Sequence, residues 1–468
     1  MRVACLARYV LFVVRFSLTP YNLGQCYALS RPLTETEWNT LRGYTRRVWS
    51  IHRFVADFGS LDQSTLRVLF TLAPFADPLF PNLRSLFWKD FTTLPVMHTA
   101  VPSLTSLYLN FKPLTADASL PTKFLDAVGT RCSNMKSFRV SYSPPGPLDA
   151  AISRQVFLWS NLQALDCDSV TLSIDLILRL PSASTLTWLS FTLSADLDNH
   201  VLHFAPALTF PNLTILEVYS SSLEAVTALF SRIQLPVITG FSVIFTNDAS
   251  KRNIEAYWTT IRKTCPSNTL AHLMLYHSGE GIQDSTDSNE QGRPQLMLDS
   301  LPFKTFGGLY TIHINFPWSV KLTDADLIDL VSTSPFLEGL VINNAWGWRM
   351  DDDDDGITLT GLVRLLRRCP SLHNIGLAVN TRTFTHIPHD LDMSFLPRKS
   401  LSMNLLDSYI SFAFVTDLVR VFTSLKLGPP TRISAWTDTG GGRDQEDMRT
   451  ASVLWKCVVD GIEGMSAL

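Results

Sequence analysis

The chain has 468 residues, 46% of them hydrophobic and 17% charged, with 39 basic against 42 acidic residues and a formal net charge of -3. That composition is too apolar and too weakly charged for a disordered chain. Its length exceeds the roughly 250 to 300 residues at which one compact core stops growing, so several domains or an elongated array are required. No Lys/Arg-rich stripe recurs along the sequence, and nothing supports binding to a nucleic-acid backbone.

At the N-terminus, the apolar run Tyr9-Val10-Leu11-Phe12-Val13-Val14 is bounded by Arg8 and Arg15. Six residues fall short of a secretory signal core of about 7 to 15 and of a membrane span of about 20, so the protein is expected to be intracellular, cytoplasmic or nuclear, with no membrane partner. The seven cysteines, Cys5, Cys26, Cys132, Cys167, Cys265, Cys369 and Cys457, contain no CxxC pair. Their odd number and wide spacing argue against a disulfide framework or a zinc site and suit a reducing compartment.

A capped helix follows. Thr34 stands three residues before Glu37, the spacing of a capping box, and Leu41, Tyr44 and Val48 form an apolar stripe.

The phrase Pro/Ser-Asn/Ser-Leu-x-x-Leu-x-Leu/Val then recurs. It is clearest at Pro81 to Trp88, Pro102 to Leu109 and Pro211 to Val218. Eleven copies have first apolar anchors at 83, 104, 135, 162, 186, 213, 238, 270, 309, 337 and 372, spaced 21 to 39 residues apart, with a possible twelfth at Leu401 to Leu405. The alternating last two apolar positions predict short strands. Helical periodicity is predicted between them at Lys123 to Arg131, Ile174 to Leu180, Leu223 to Ile233, Asn253 to Thr264, Asp324 to Ser332 and Leu359 to Cys369. A strand, a connection and a helix cannot bury their own apolar face, so the units must stack. The expected fold is an α/β leucine-rich-repeat solenoid of about eleven to twelve irregular repeats, with a curved parallel sheet on the concave face and helices on the convex one. Cys132, Cys265 and Cys369 return at equivalent slots just before a strand, which predicts buried junction residues and not chemistry.

Candidate chemical motifs are weak. The polar stretch Ser278 to Arg293 has no apolar periodicity and is expected to be an exposed insert. The acidic run Asp351 to Asp355 lacks the alternation and closing Glu of a calcium loop, and suits a solvated loop ahead of a helix N-terminus. Gly440-Gly441-Gly442-Arg443 lacks the Lys-Ser/Thr of a phosphate loop. With no H-E-x-x-H and no G-x-S-x-G, no catalytic residue, cofactor or metal is expected. The expected site is the concave sheet surface, where the outward residues flank the last apolar position of each phrase. These are Phe87 and Lys89, Tyr108 and Asn110, Arg139 and Ser141, Asp166 and Asp168, Glu217 and Tyr219, Met274 and Tyr276, and His313 and Asn315. Aromatics and Met anchor protein interfaces, so a protein ligand is expected there.

The stretch Arg31-Pro32-Leu33-Thr34-Glu35-Thr36-Glu37-Trp38, the following Tyr44-Thr45-Arg46-Arg47-Val48-Trp49-Ser50-Ile51 and the later Phe80 to Trp88 phrase resemble the F-box and leucine-rich-repeat proteins of basidiomycete fungi, over roughly residues 31 to 430. The resemblance implies an F-box that docks on the Skp linker subunit of a cullin-type (SCF) ubiquitin ligase, and repeats that present a substrate. Residues 1–30 contain neither a Leu-Pro-x-Glu-Leu opening nor a Val-Cys-Lys/Arg-x-Trp close, so the F-box is expected to be missing or truncated. The expected organisation is an atypical segment at 1–30, a helical cap at 31–60, repeats at 61–430 and a C-terminal cap or tail at 431–468. The expected function is non-enzymatic protein binding, derived from a ligase substrate receptor. A free-standing scaffold or sensor without ligase recruitment is the alternative.

Overall fold

The computed structural model describes residues 18–21, 26–29, 33–52, 78–88, 99–111, 119–142, 148–194, 207–247, 249–266, 268–278, 296–297, 305–316, 320–343, 356–381, 401–405, 408, 410, 412–424, 432–435 and 445–466. Lys89, most of the polar insert (279–293), the acidic run 351–355, the glycine run 440–442 and nearly all of residues 1–30 lie outside them. The chain divides into two compact units. The first comprises Met1–Leu197 with Phe210–Leu213, and the second Asp198–Thr209 with Thr214–Leu468.

In the first unit, strands β1 (Ser50–His52), β2 (Ser85–Trp88), β3 (Ser106–Phe111), β4 (Ser137–Tyr142), β5 (Ala164–Leu172) and β6 (Trp188–Leu193) pair with their sequence neighbours in parallel. Helices α1 (Glu35–Thr45), α2 (Ser119–Arg131), α3 (Asp149–Val156) and α4 (Ile174–Arg179) belong to this unit. In the second, β7 (Ile215–Ser220), β8 (Gly240–Phe245), β9 (His272–His277), β10 (Thr311–Asn315), β11 (Gly339–Ile342), β12 (Asn374–Gly376), β13 (Ser402–Asn404) and β14 (Arg432–Ser434) do the same. Helices α5 (Leu223–Phe230), α6 (Lys251–Thr264), α7 (Asp324–Thr333), α8 (Leu359–Arg368), α9 (Val415–Ser424) and α10 (Gln445–Ser466) accompany them. Each unit is thus an α/β leucine-rich-repeat array. Every phrase, the one at Leu401 to Leu405 included, contributes a strand, and each predicted helix is present. Five of these elements carry no phrase or were not expected from periodicity: β1, β14, α3, α9 and α10.

The phrase works as a turn plus a strand. Its opening residues close a tight turn in which the anchor N–H donates to the carbonyl three residues earlier, as in Leu83 to Phe80 (3.2 Å), Leu104 to Val101 (2.9 Å) and Leu372 to Cys369 (3.1 Å). Proline in the second place, as at Pro81, Pro102 and Pro370, presets the φ that such a turn needs. The chain then enters the sheet through a shared acceptor. The Trp49 carbonyl takes the N–H groups of Arg84 and Ser85, the Arg84 carbonyl those of Thr105 and Ser106, and the Thr239 carbonyl those of Ala271 and His272. Thr105, Thr187 and Thr239 occupy this entry slot, and each hydroxyl also donates to the preceding repeat's carbonyl.

Inward residues form the core. Leu86, Leu107, Phe138, Leu165 and Leu189 in the first unit, and Leu216, Phe241, Leu273, Ile312, Leu340 and Ile375 in the second, are all buried. Each contributes roughly 1.5–3 kcal/mol relative to exposure. Helix starts are capped by Thr34, Ser173, Ser222, Ser250, Thr323 and Thr358. At Thr34 the expected capping box with Glu37 forms. Consecutive helices are also joined at their caps, because the Asp324 carboxylate accepts from both the N–H (2.8 Å) and the hydroxyl (2.6 Å) of Thr358. Gly361 in α8 leaves room for that carboxylate, which a Cβ would strike.

The junction cysteines are buried as expected. The Cys132 thiol donates to the Val101 carbonyl at 3.2 Å, and the Cys369 thiol to the Ser334 carbonyl at 3.8 Å, each reaching the preceding repeat's turn. Burial pushes the thiols of Cys132 and Cys265 up to about 12. At neutral pH this favours the protonated thiol over the reactive thiolate.

Candidate functional site

Alternation in a strand sends every second side chain away from the core, and parallel in-register pairing lines those side chains up across the sheet. In the first unit the row runs Phe87, Tyr108, Arg139, Asp166, Ser190. Its members touch in sequence. The Phe87 and Tyr108 rings meet edge-on with centroids 4.2 Å apart. The Arg139 guanidinium lies 4.9 Å from the Tyr108 ring centre. On its other side, Arg139 Nε is 2.9 Å from Asp166 Oδ2. Arg139 remains half exposed while the Asp166 side chain is 13% exposed, so the pair presents a guanidinium held from beneath. Burial raises the Asp166 carboxyl above the ordinary carboxylate value, the nearby Arg139 pulls it back, and Asp168 pushes it up further.

One step along the strands, Asn110 stands opposite Ser141. Beside them β5 departs from regular register. Cys167 pairs with Phe191 and Thr171 with Thr192, which leaves Asp168, Ser169 and Val170 as a bulge. Bulges re-aim side chains. Asp168 Oδ1 is buried without a hydrogen-bond partner, and its backbone carbonyl accepts from the Thr192 hydroxyl at 2.5 Å.

In the second unit the corresponding row is Glu217, Ser242, Met274, His313, Val341, Gly376. Beyond it lies Tyr219, Ile244, Tyr276, Asn315. Tyr276 and His313 meet edge-on at 5.8 Å. Burial lowers the His313 pKa, which keeps the ring neutral, and its Nε2 is buried without a hydrogen-bond partner. Asn315 does not belong to an exposed face. It is fully buried, and its amide donates to the His277 carbonyl at 3.2 Å. The neighbouring strand ends in the same way: the side-chain oxygen of Asn343, at φ 57°, accepts from the Phe316 N–H at 3.0 Å. Asparagine at a strand end therefore satisfies backbone groups here, a role that composition on an alternating pattern does not reveal. Further along, Val341 is only 8% exposed and packs over Gly376, where a Cβ would lie 2.8 Å from Val341 Cγ1. No phrase-based rule picked out these closed positions, because both faces of a strand need to be covered for them to arise.

Of the expected face, Phe87, Tyr108, Arg139 and Asp166 are brought into one contacting row, and Asn110 and Asp168 lie beside it. Glu217, Tyr219, Met274, Tyr276 and His313 line the second unit's face. Among the described residues, no group of three or more His, Cys, Asp or Glu side chains converges as a metal site requires, and no helix is long and apolar enough to cross a membrane.

No protein-family model matches the chain, and neither does any curated protein. Among solved structures the chain is similar to an internalin, InlF, from Listeria monocytogenes, at 11% identity over 94% of this chain and 95% of that one, with a TM-score of 0.37. It is also similar to a structure of the Rad7 and Elc1 complex in yeast, at 14% identity over 80% of this chain and 93% of that one, with a TM-score of 0.32.

Proposed function

We propose that this chain is a non-enzymatic leucine-rich-repeat protein that binds a protein ligand on the outward face of its first unit, and that it derives from the substrate-recognition subunit of an SCF-type ubiquitin ligase. The observation that carries the binding reading is the row Phe87–Tyr108–Arg139–Asp166. Aromatic and Arg side chains dominate interface energetics, and here each is held by the next before any partner arrives. Fixing such side chains in advance lowers the ordering cost of association. The ligase origin rests on the resemblance carried by Arg31 to Ile51 and the Phe80 to Trp88 phrase.

Two measurements test these parts separately. Partners captured from a fungal extract by the full chain are compared with those captured by Tyr108→Ala, Arg139→Ala and a helix-surface control, Glu255→Ala. The face reading requires that the first two lose a partner that the control keeps; equal capture by all three refutes it. A purified Skp linker subunit is then titrated against the full chain. Saturable binding supports ligase recruitment, and its absence leaves the free-standing scaffold.

A further inference from the structure

We infer that the strand-entry edge of the first unit is a second docking surface, built to hold an acidic, extended peptide segment of a partner protein. The entry slots of this unit, read across the ladder, are Trp49, Arg84, Thr105, Lys136, Gln163 and Thr187, and none is acidic. Arg46 and Arg47, at the end of α1, adjoin the same edge, because the Asn82 amide of the turn before β2 donates to the Arg46 carbonyl at 2.7 Å. Arg46, Arg47, Arg84 and Lys136 are all exposed, and among the described residues none of the four forms an ion pair. Three separate stretches of sequence supply them, so no basic run announces the strip.

Two other polar side chains of the edge are already engaged. The hydroxyls of Thr105 and Thr187 donate to the carbonyls of Arg84 and Gln163. The nearest cation on the outward face, Arg139, is committed to Asp166. In α1 the acidic residues Glu35 and Glu37 are both in the first turn, and Glu37 closes the capping box. Nine residue steps along the helix separate Glu37 from Arg46, about 14 Å. Among the described residues the strip therefore has no internal counter-charge. It also has an anchor, since the Arg84 guanidinium lies 5.0 Å from the ring centre of Trp49, which is 57% exposed. An aromatic face holding a guanidinium in place offers a fixed fork to a carboxylate.

Spacing favours a peptide. Arg84 and Lys136 stand two strands apart, about 9.6 Å, and an extended chain covers that in about three residues. Acidic side chains at every third position would meet both cations. A nucleic acid is the poorer fit, because four cations fall below the roughly 6–10 phosphate contacts behind strong backbone binding, and among the described residues Trp49 is the one aromatic in the entry slots.

The inference is independent of the outward-face reading and uses different residues. Its test is fluorescence anisotropy on the full chain. The probe is a labelled 12-residue Gly/Ser peptide with Glu at every third position; the comparators are its Gln counterpart and a 12-nucleotide single-stranded DNA. Saturable binding of the Glu peptide is expected, weakened by salt and by about tenfold or more in the double variant Arg84→Glu/Lys136→Glu. Arg252→Glu, on α6 of the second unit, is expected to bind like the parent. A milder Arg84→Gln/Lys136→Gln pair, expected to weaken binding by about threefold, serves if the charge reversal disturbs folding. Equal binding of the Gln peptide, tighter binding of the DNA, or unchanged affinity in a natively folded double variant overturns the proposal. Loss of binding in Tyr108→Ala or Arg139→Ala would refer the affinity to the outward face and would overturn it equally.

Discussion

The two units repeat the same backbone and differ in what their sheets show on the outward side. In both, inward slots are filled by Leu, Ile, Val and Phe, and most strands enter through a shared carbonyl. Outward, the first unit carries a contacting row of two aromatics and an ion pair. The second carries a half-buried imidazole, a valine over a glycine and a buried asparagine. Inward and outward positions are therefore under separate constraints. The stacking requirement constrains inward residues in every repeat, whereas outward residues vary between the two units.

The strongest way to break this comparison is to remove equivalent core residues. Phe138 in the first unit and Phe241 in the second are inward strand residues, and each lies 5.0 Å from another buried aromatic, Trp159 and Phe230 respectively. Phe138→Ala and Phe241→Ala should each cost about 3–5 kcal/mol, measured by denaturant unfolding with hydrogen exchange to locate the loss. A cost near zero in either unit would show that the two scaffolds are not equivalent.

Outward substitutions should separate the units. Gly376→Val must displace Val341 and is expected to cost about 1–3 kcal/mol, while Ser141→Val on the first unit's face should stay within about 0.5 kcal/mol. Thermal melts of both variants check this, and equal losses would remove the distinction. Arg139→Ala sharpens it from the other side. With a half-exposed guanidinium, its effect on unfolding should be below about 1 kcal/mol, yet it should weaken partner binding by about tenfold.

The smallest effect is a pair of opposed pH slopes. Burial depresses the His313 pKa, so the unfolded chain binds more protons there. The second unit should lose stability as pH falls below about 6.5, and His313→Phe should flatten that slope. Asp166 has the opposite sign. Its raised carboxyl pKa means that the folded state holds the proton longer, so stability is lost as pH rises through that pKa, and Asp166→Asn should flatten the slope. Denaturant titrations between pH 3.5 and 7, on parent and variants, read both signs.

Most of the fold was legible because stacking leaves a mark in every repeat. Prolines before Leu83, Leu104 and Leu372 announce the turns, and alternation after them announces the strands. β1 and β14 were not legible from the phrase. Around Ile51 and Ile433 there is no Leu-x-x-Leu-x-Leu, and it is pairing with a neighbouring strand that makes them extended. The candidate face was legible as a set of positions but not as an arrangement. Phe87, Tyr108, Arg139 and Asp166 are separated by 21 to 31 residues in the chain, and only parallel register brings them into contact.

By itself, then, the order of residues determined the repeat, its turns, its helix caps and the identity of the inward core, since each depends on neighbours within one repeat. Tertiary structure decided which outward residues are exposed. Asn315 and Val341 obey the same alternation as Tyr108 and Arg139, yet they are buried. Alternation sets the side of the sheet on which a residue stands, and only packing across strands and against the rest of the chain settles whether that side meets water.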